Sequence, residues 1–266
     1  MRCGHKNLEL CQPMPSSGPL ASQMDTPLAS LRNLKSRPVF VYVVTSLKIK
    51  DKCFIQTGCG PNFQGGRITL CTCKHKDRAS PPPTKYDENP DTEPWNGVWV
   101  AGICSARQLR PRSLFFLMQV EEVFENNADA WKTLEKTLGK AVQAKSTHRS
   151  RFGDIYEPKS KKGCENPWDQ TNYEDSIANH VHKAPTARYK DVEKIYHPNK
   201  HPKLLCGDPK HSYLWSTPKI RLKEKDDANW KSAHHRFYSW NVWECHWPRW
   251  PQVDRVFPKV KTGKAA

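Results

Sequence analysis

Two rhythms of apolar and polar residues run along this chain, separated by stretches that have neither. The first sustained run is Val39-Phe40-Val41-Tyr42-Val43-Val44, dense in β-branched and aromatic side chains. A continuous run of that length predicts a strand covered on both faces. Arg67–Cys73 alternates polar with apolar and reads as a half-buried strand. Gly97–Ile103 is a third strand, and Leu114–Val123 is a fourth, bent or interrupted near its acidic end at Glu121-Glu122. A helical rhythm governs Asn127–Ala144, where Trp131, Leu134 and Leu138 fall at i, i+3 and i+7 and lysines take the other face. After Ser146 only short apolar pieces remain; Tyr213-Leu214-Trp215 reads as one strand and Lys203-Leu204-Leu205 as a further candidate.

The segments between these elements are marked by glycine and proline. Gly58, Gly60, Gly65 and Gly66 flank Pro61-Asn62 in a loop between the first two strands. Residues 1–37 carry Pro13, Pro15, Pro19 and Pro27 without periodicity, and predict a disordered leader whose one amphipathic hint is Leu28–Leu34. Residues 76–96, with Pro81-Pro82-Pro83, Pro90 and Pro94 among charges, predict a surface insertion. The expected organisation is therefore a leader (1–37), a domain (38–220) and a basic, Trp-rich extension (221–266). Several short strands with one main helix predict an α+β fold, a compact curved sheet or small barrel, followed by an irregular His- and Trp-rich part. The glycines fit neither a phosphate loop nor the dinucleotide fingerprint, and no βαβ unit surrounds them.

Composition narrows the class. An apolar share of 36% with 22 prolines predicts a folded core with long irregular excursions, while ten tryptophans exclude a wholly disordered chain. Forty-three lysines and arginines against 27 acids give a net charge of +16. That surplus attracts phosphates, so nucleic acid or a nucleotide is the expected partner; charge supplies attraction, not specificity. The start Met1–Lys6 lacks the apolar run of a secretory signal, and nothing approaches the roughly 18 apolar residues of a membrane span. The expectation is an intracellular protein, cytoplasmic or nuclear, with no membrane partner and with most of its ten cysteines as thiols.

Four groups of residues have chemistry to offer, each with a plainer alternative. The Gly60-Pro61-Asn62-Phe63 loop can present backbone N–H groups, the Asn62 amide and the Phe63 face to a base or phosphate. Its alternative is a tight turn with Phe63 packed inward. Cys73 beside Lys74 can act as a nucleophile, or can be a buried thiol next to a solvated lysine. Cys71-x-Cys73-x-His75 has a spacing narrower than structural zinc sites use and lacks a second pair, so no metal is expected. His180-x-His182 with Asp191 can bind a metal, given a third or fourth convergent ligand that the sequence does not show, or supply acid and base, or sit as solvated loop residues. Trp230, Trp240, Trp243, Trp247 and Trp250, interleaved with His234, His235, Arg236, His246 and Arg249, suit stacking on single-stranded nucleic acid, or packing onto the domain.

The segments Tyr42–Thr45, Gly58–Phe63, Thr69–Lys74, Trp99–Gly102 and Leu114–Val123, with Trp131 after them, resemble the nucleotide-modification-associated domain of the second type. Asp154-Ile155-Tyr156, the histidines leading to Asp191, and Leu204–Trp215 continue the resemblance, which covers roughly residues 39–220. The chain departs from the family's pattern in a longer loop before Gly58 and in the insertion at 76–96. The resemblance implies a PUA-like fold and a link to modified nucleotides. It places Thr45, Gly60, Asn62, Phe63, Thr69, Cys73, Lys74 and Trp99 around a nucleotide-binding mouth. Whether the protein reads a modified nucleotide, acts on one through Cys73 or a set such as His182 and Asp191, or is a basic interaction protein without a pocket stays open. No cofactor is indicated.

Overall fold

A computed structural model describes residues 11–31, 39–80, 93–160, 164–177, 189–195, 200–223 and the backbone of 236–238. Among these residues eight strands form, in chain order: β1 (Val39–Val43), β2 (Leu47–Lys50), β3 (Cys53–Gln56), β4 (Thr69–Leu70), β5 (Trp99–Ile103), β6 (Leu114–Phe124), β7 (Leu204–Leu214) and β8 (Arg236–Tyr238). Helices α1 (Gly18–Ser22), α2 (His75–Arg78) and α3 (Asn127–Leu138) accompany them. The main sheet runs β4-β7-β6-β5-β1-β8, and its strands curl strongly into a half-barrel in a mixed α+β architecture. Among the described strands of this sheet, only β1 and β5 pair in parallel.

The curl has a local cause. The β5–β6 register shifts at Gly102/Ile103, and β6–β7 shifts on both sides of Val120, so bulges bend the long strands. Met118 pairs with Ser212 and Val120 with Gly207, which leaves Asp208-Pro209-Lys210-His211 looped out opposite Gln119. The bend expected near Glu121-Glu122 is this pair of shifts. The two pieces expected around 204 and 213 are one strand, β7.

β1 is buried along its whole length, as its unbroken apolar run requires. Phe40, Tyr42 and Val44 pack with Trp95, Phe115, Phe116 and Met118 on one face. Val39, Val41 and Val43 pack with Trp99, Leu117, Tyr213 and Trp215 on the other. A third cluster forms where Ala130, Trp131 and Leu134 of α3 meet Cys71, Ile155 and Cys206. The Asn126 side chain caps α3 by accepting from Asp129 N at 2.9 Å, and the helix stops at Leu138, with a 3₁₀ segment continuing over Gly139–Lys145.

Three expectations are corrected. Part of the expected disordered leader is ordered: Leu20 is fully buried, Asp25 N donates to Leu214 O, and Gln12 lies beneath the Gly58–Phe63 loop. The ends of the expected surface insertion belong to the interior, because Arg78 and Trp95 are each 1% exposed; residues 81–92 between them lie outside the described set. The expected strand at 67–73 contracts to Thr69-Leu70, since only those two residues pair with β7, at Cys206 and Leu205. Seven described cysteines are thiols, and Cys53 is disulfide-bonded.

Candidate functional site

The Gly58–Gly66 loop covers a polar interior rather than an open mouth. Asn62 and Thr69 exchange backbone hydrogen bonds at 3.0 and 2.8 Å, which turns both side chains toward the Gly139–Lys145 segment. The Lys145 ammonium lies fully buried among four oxygens: Asn62 O and Oδ1 at 3.0 Å, Arg67 O at 2.6 Å and Thr69 Oγ1 at 3.1 Å. Thr69 Oγ1 in turn donates to Asp154 Oδ1 at 2.9 Å, and Asp154 Oδ2 accepts from Cys71 N at 3.2 Å. Asn62 Nδ2 donates to Phe152 O at 2.6 Å. The chain returns from Lys145 to Asp154 through a tight excursion, closed by Asp154 N and Ile155 N donating to Lys145 O. Gly153 permits that return: a Cβ there would stand 2.1 Å from Ser146 O.

Burial acts on both charges. Desolvation lifts the Asp154 carboxyl to about 7, against the opposing pull of Lys145 and the Thr69 and Cys71 hydrogen bonds. Desolvation likewise brings the Lys145 amine down to about 8, against the attraction of Asp154. The network satisfies its polar groups and is sealed from solvent; its chemistry is that of a structural brace.

A second polar group faces outward beyond Leu70. Here Cys73 and Lys74 leave the strand, Lys74 takes a left-handed conformation (φ 62°), and α2 begins. Arg78 donates from Nε to Cys73 O and from Nη2 to Cys71 O, both at 2.6 Å, and from Nη1 to Lys203 O. His75 Nε2 pairs with Asp191, whose other oxygen accepts from Tyr156 OH at 3.1 Å. Tyr156 N donates to Asn127 Oδ1 at 3.0 Å, so the first residue of α3 helps to place this chain of groups. The Lys74 ammonium lies 5.3 Å from the centre of the Tyr42 ring, and the buried Tyr42 hydroxyl has no hydrogen-bond partner among the described residues.

Beside α2 opens a cavity of about 520 Å³. Trp168 and His201 form one wall, stacked with centroids 3.5 Å apart and planes 9° from parallel. Trp95, Pro94 and Ala79 add apolar surface, and Lys200, Lys203, Glu93 and Glu125 bring charge. Lys203 is held by Glu125 and by Glu93 at 3.3 Å, while Lys200 is exposed. Burial pushes the His201 imidazole below its ordinary pKa, and its Nδ1 has no hydrogen-bond partner among the described residues.

The residues expected around a mouth are divided by this arrangement. Asn62 and Thr69 belong to the buried network. Phe63 packs inward edge-on to Phe115, with centroids 6.0 Å apart, and Trp99 is fully buried in the core. None of these four is open to a ligand. Gly60 is buried against Cys73: a Cβ on it would lie 2.6 Å from the Cys73 sulfur. Thr45 is exposed at the β1–β2 turn, and Cys73 and Lys74 are half-buried. Asp191 has a histidine partner, and it is His75; His180, His182 and the tryptophans from Trp230 onward lie outside the described residues. Cys71 and Cys73 do not share a face, because pairing ends at Leu70: Cys71 joins the α3 cluster and Cys73 the core under β1. Among the described residues no group of three or more His, Cys, Asp or Glu is placed to hold a metal, and no helix is long and apolar enough to cross a membrane.

Lys145, Trp168 and His201 are new to the site. Lys145 closes the lysine-bearing face of the helical pattern, where nothing local distinguishes it; Trp168-x₃₂-His201 has no spacing that a sequence reading can use. The chain matches no protein-family model, no curated protein and no solved structure.

Proposed function

We propose that the protein binds a nucleotide with a modified base, free or within nucleic acid, in the cavity beside α2. The observation that carries this reading is the composition of that cavity. It joins a stacked aromatic wall, Trp168 on His201, to an exposed cation, Lys200, and to two carboxylates, Glu93 and Glu125. An aromatic face takes the base plane. A carboxylate accepts from an exocyclic amino group. Lys200 and the surplus charge attract the phosphate. A volume of about 520 Å³ lies within the ~300–1,000 Å³ of ordinary ligand sites. The family resemblance of the segments from Tyr42 to Val123 supports the same ligand class, and with it a PUA-like reading of the curled sheet.

Binding of modified and unmodified mononucleotides and oligonucleotides, followed by tryptophan fluorescence and repeated at rising salt, tests the proposal. The expected result is preference for one modified base, lost in Trp168→Ala. Equal binding of every ligand, or binding indifferent to Trp168→Ala, overturns it.

One observation favours a second reading, an enzyme acting on such a nucleotide. Asp191 orients His75 and is itself held by Tyr156, the arrangement of an acid–base histidine. In that case His75→Gln abolishes turnover and leaves affinity near the wild-type value.

A further inference from the structure

The Gly58–Phe63 loop and the segment leaving β4 bring two thiols together. Cys59 precedes Gly60, which lies directly against the Cys73 sulfur; the two thiols are close enough to interact electrostatically, and Cys59 Sγ lies 3.1 Å from Thr72 Oγ1. The absence of a side chain at Gly60 lets this approach occur, since a Cβ there would stand 2.6 Å from the Cys73 sulfur and 2.8 Å from its Cβ. The two thiols differ in access: Cys59 is 1% exposed, and Cys73 is half-buried at the protein surface. They differ in surroundings as well. The Arg78 guanidinium, anchored on the Cys73 carbonyl at 2.6 Å, is in electrostatic contact with the Cys73 side chain, and Lys74 follows it in the chain. Reactive cysteines sit in such partly exposed, electropositive places. Burial, by contrast, pushes the Cys59 thiol well above its ordinary pKa and keeps it protonated.

We propose that Cys73 and Cys59 are a redox-active dithiol, Cys73 attacking a hydroperoxide and Cys59 resolving the product as an intramolecular disulfide. In the first step the Cys73 thiolate sulfur bonds to the terminal oxygen of the hydroperoxide. The O–O bond breaks, the alkoxide or hydroxide leaves and takes a proton from water, and Cys73 becomes a sulfenic acid. The sulfur loses two electrons and the peroxide gains them. In the second step the Cys59 sulfur attacks the Cys73 sulfur and the S–O bond breaks. The departing hydroxide joins the Cys59 proton as water. An external dithiol reverses the bridge by thiol–disulfide exchange. Closure would tie the Gly58–Phe63 loop covalently to the segment that carries His75 and Arg78. The inference is independent of the nucleotide reading.

Peptide mapping of the full chain under non-reducing conditions, after exposure to hydrogen peroxide and alkylation of remaining thiols, tests it. The expected product is a Cys59–Cys73 cross-linked peptide, two hydrogens lighter than its parts, formed before any change at the buried Cys104 and Cys206. Cys73→Ser should abolish the cross-link. Cys59→Ser should leave Cys73 as a sulfenic acid that dimedone captures; dimedone competing with cross-linking in the wild-type chain gives the same information if that variant does not fold. Oxidation of Cys73 without cross-linking overturns the proposal. So does reaction at Cys73 no faster than at Cys11 and Cys164, which are also half-buried.

Discussion

The two polar groups on either side of Leu70 use similar residue types for opposite ends. On the inner side, Lys145, Asn62, Thr69 and Asp154 are buried, and each hydrogen-bonds another member or nearby backbone. On the outer side, Cys73, Lys74 and His75 keep part of their surface in solvent, while Asp191 and Tyr156 beneath them are buried. A sealed and satisfied network specifies one packing and resists change. A partly open one keeps groups accessible for a ligand or a reaction. Polarity of sequence does not distinguish the two; closure does.

The largest expected effect of a substitution lies on the sealed side. Lys145→Met removes the buried positive charge that faces Asp154 across Thr69 and takes one donor each from Arg67 O and from the Asn62 oxygens, which keep Thr69 N and Gln64 N. Removing one of two buried charges bridged by a hydroxyl in this way costs about 3–5 kcal/mol, by analogy with a broken buried pair, to be read by denaturant unfolding. Thr69→Val keeps the shape but removes the hydroxyl linking Lys145 to Asp154, at a cost of about 1–3 kcal/mol. On the open side, Trp168→Ala should weaken nucleotide binding by about 1–3 kcal/mol, the worth of one stacked base, in the fluorescence titration. The smallest stability change should come from His75→Gln, about 1 kcal/mol or less in unfolding. If His75→Gln proved as costly as Lys145→Met, the contrast between the two sides would fail.

A pH titration sharpens the same contrast. The Asp154 carboxyl rises from 3.8 to about 7 on folding, so its stabilising contribution is complete below about pH 4 and lost as pH rises toward 7. The Lys145 amine falls from 10.5 to about 8, so its contribution is complete above about pH 10.5 and lost as pH falls toward 8. Both contributions are absent between about pH 7 and 8, where the two groups are charged in the folded chain. Wild-type stability relative to Asp154→Asn should therefore decline from pH 4 to 7. A flat difference would show that the carboxyl is not sealed.

Legibility in the sequence follows how local each cause is. The strand β1 declares itself because both faces need apolar residues, and α3 because its buried stripe recurs within two turns. The β2–β3 hairpin carries a local signal as well: Leu47-Lys48-Ile49-Lys50 alternates, and Asp51-Lys52 form the turn with φ of 50° and 62°. Lys145 had none. It resembles the surface lysines before it, and its partners Asn62 and Thr69 lie 83 and 76 positions away. Arg78 and Trp95 read as insertion residues for the same reason. Arg78 is bound to a carbonyl 125 positions distant, and only the folded sheet supplies it.

The place of β8 carries a consequence for handling the protein. Three residues, Arg236–Tyr238, lie antiparallel along Val39–Val41 and stand between that apolar strand and the outside of the sheet. Without them, β1 would offer a row of unpaired N–H and C=O groups flanked by valine and phenylalanine, a template on which a second chain can add its own strand. A shortened chain ending near residue 223 would therefore be recovered as aggregate, although every residue of the cavity and of both thiols would still be present.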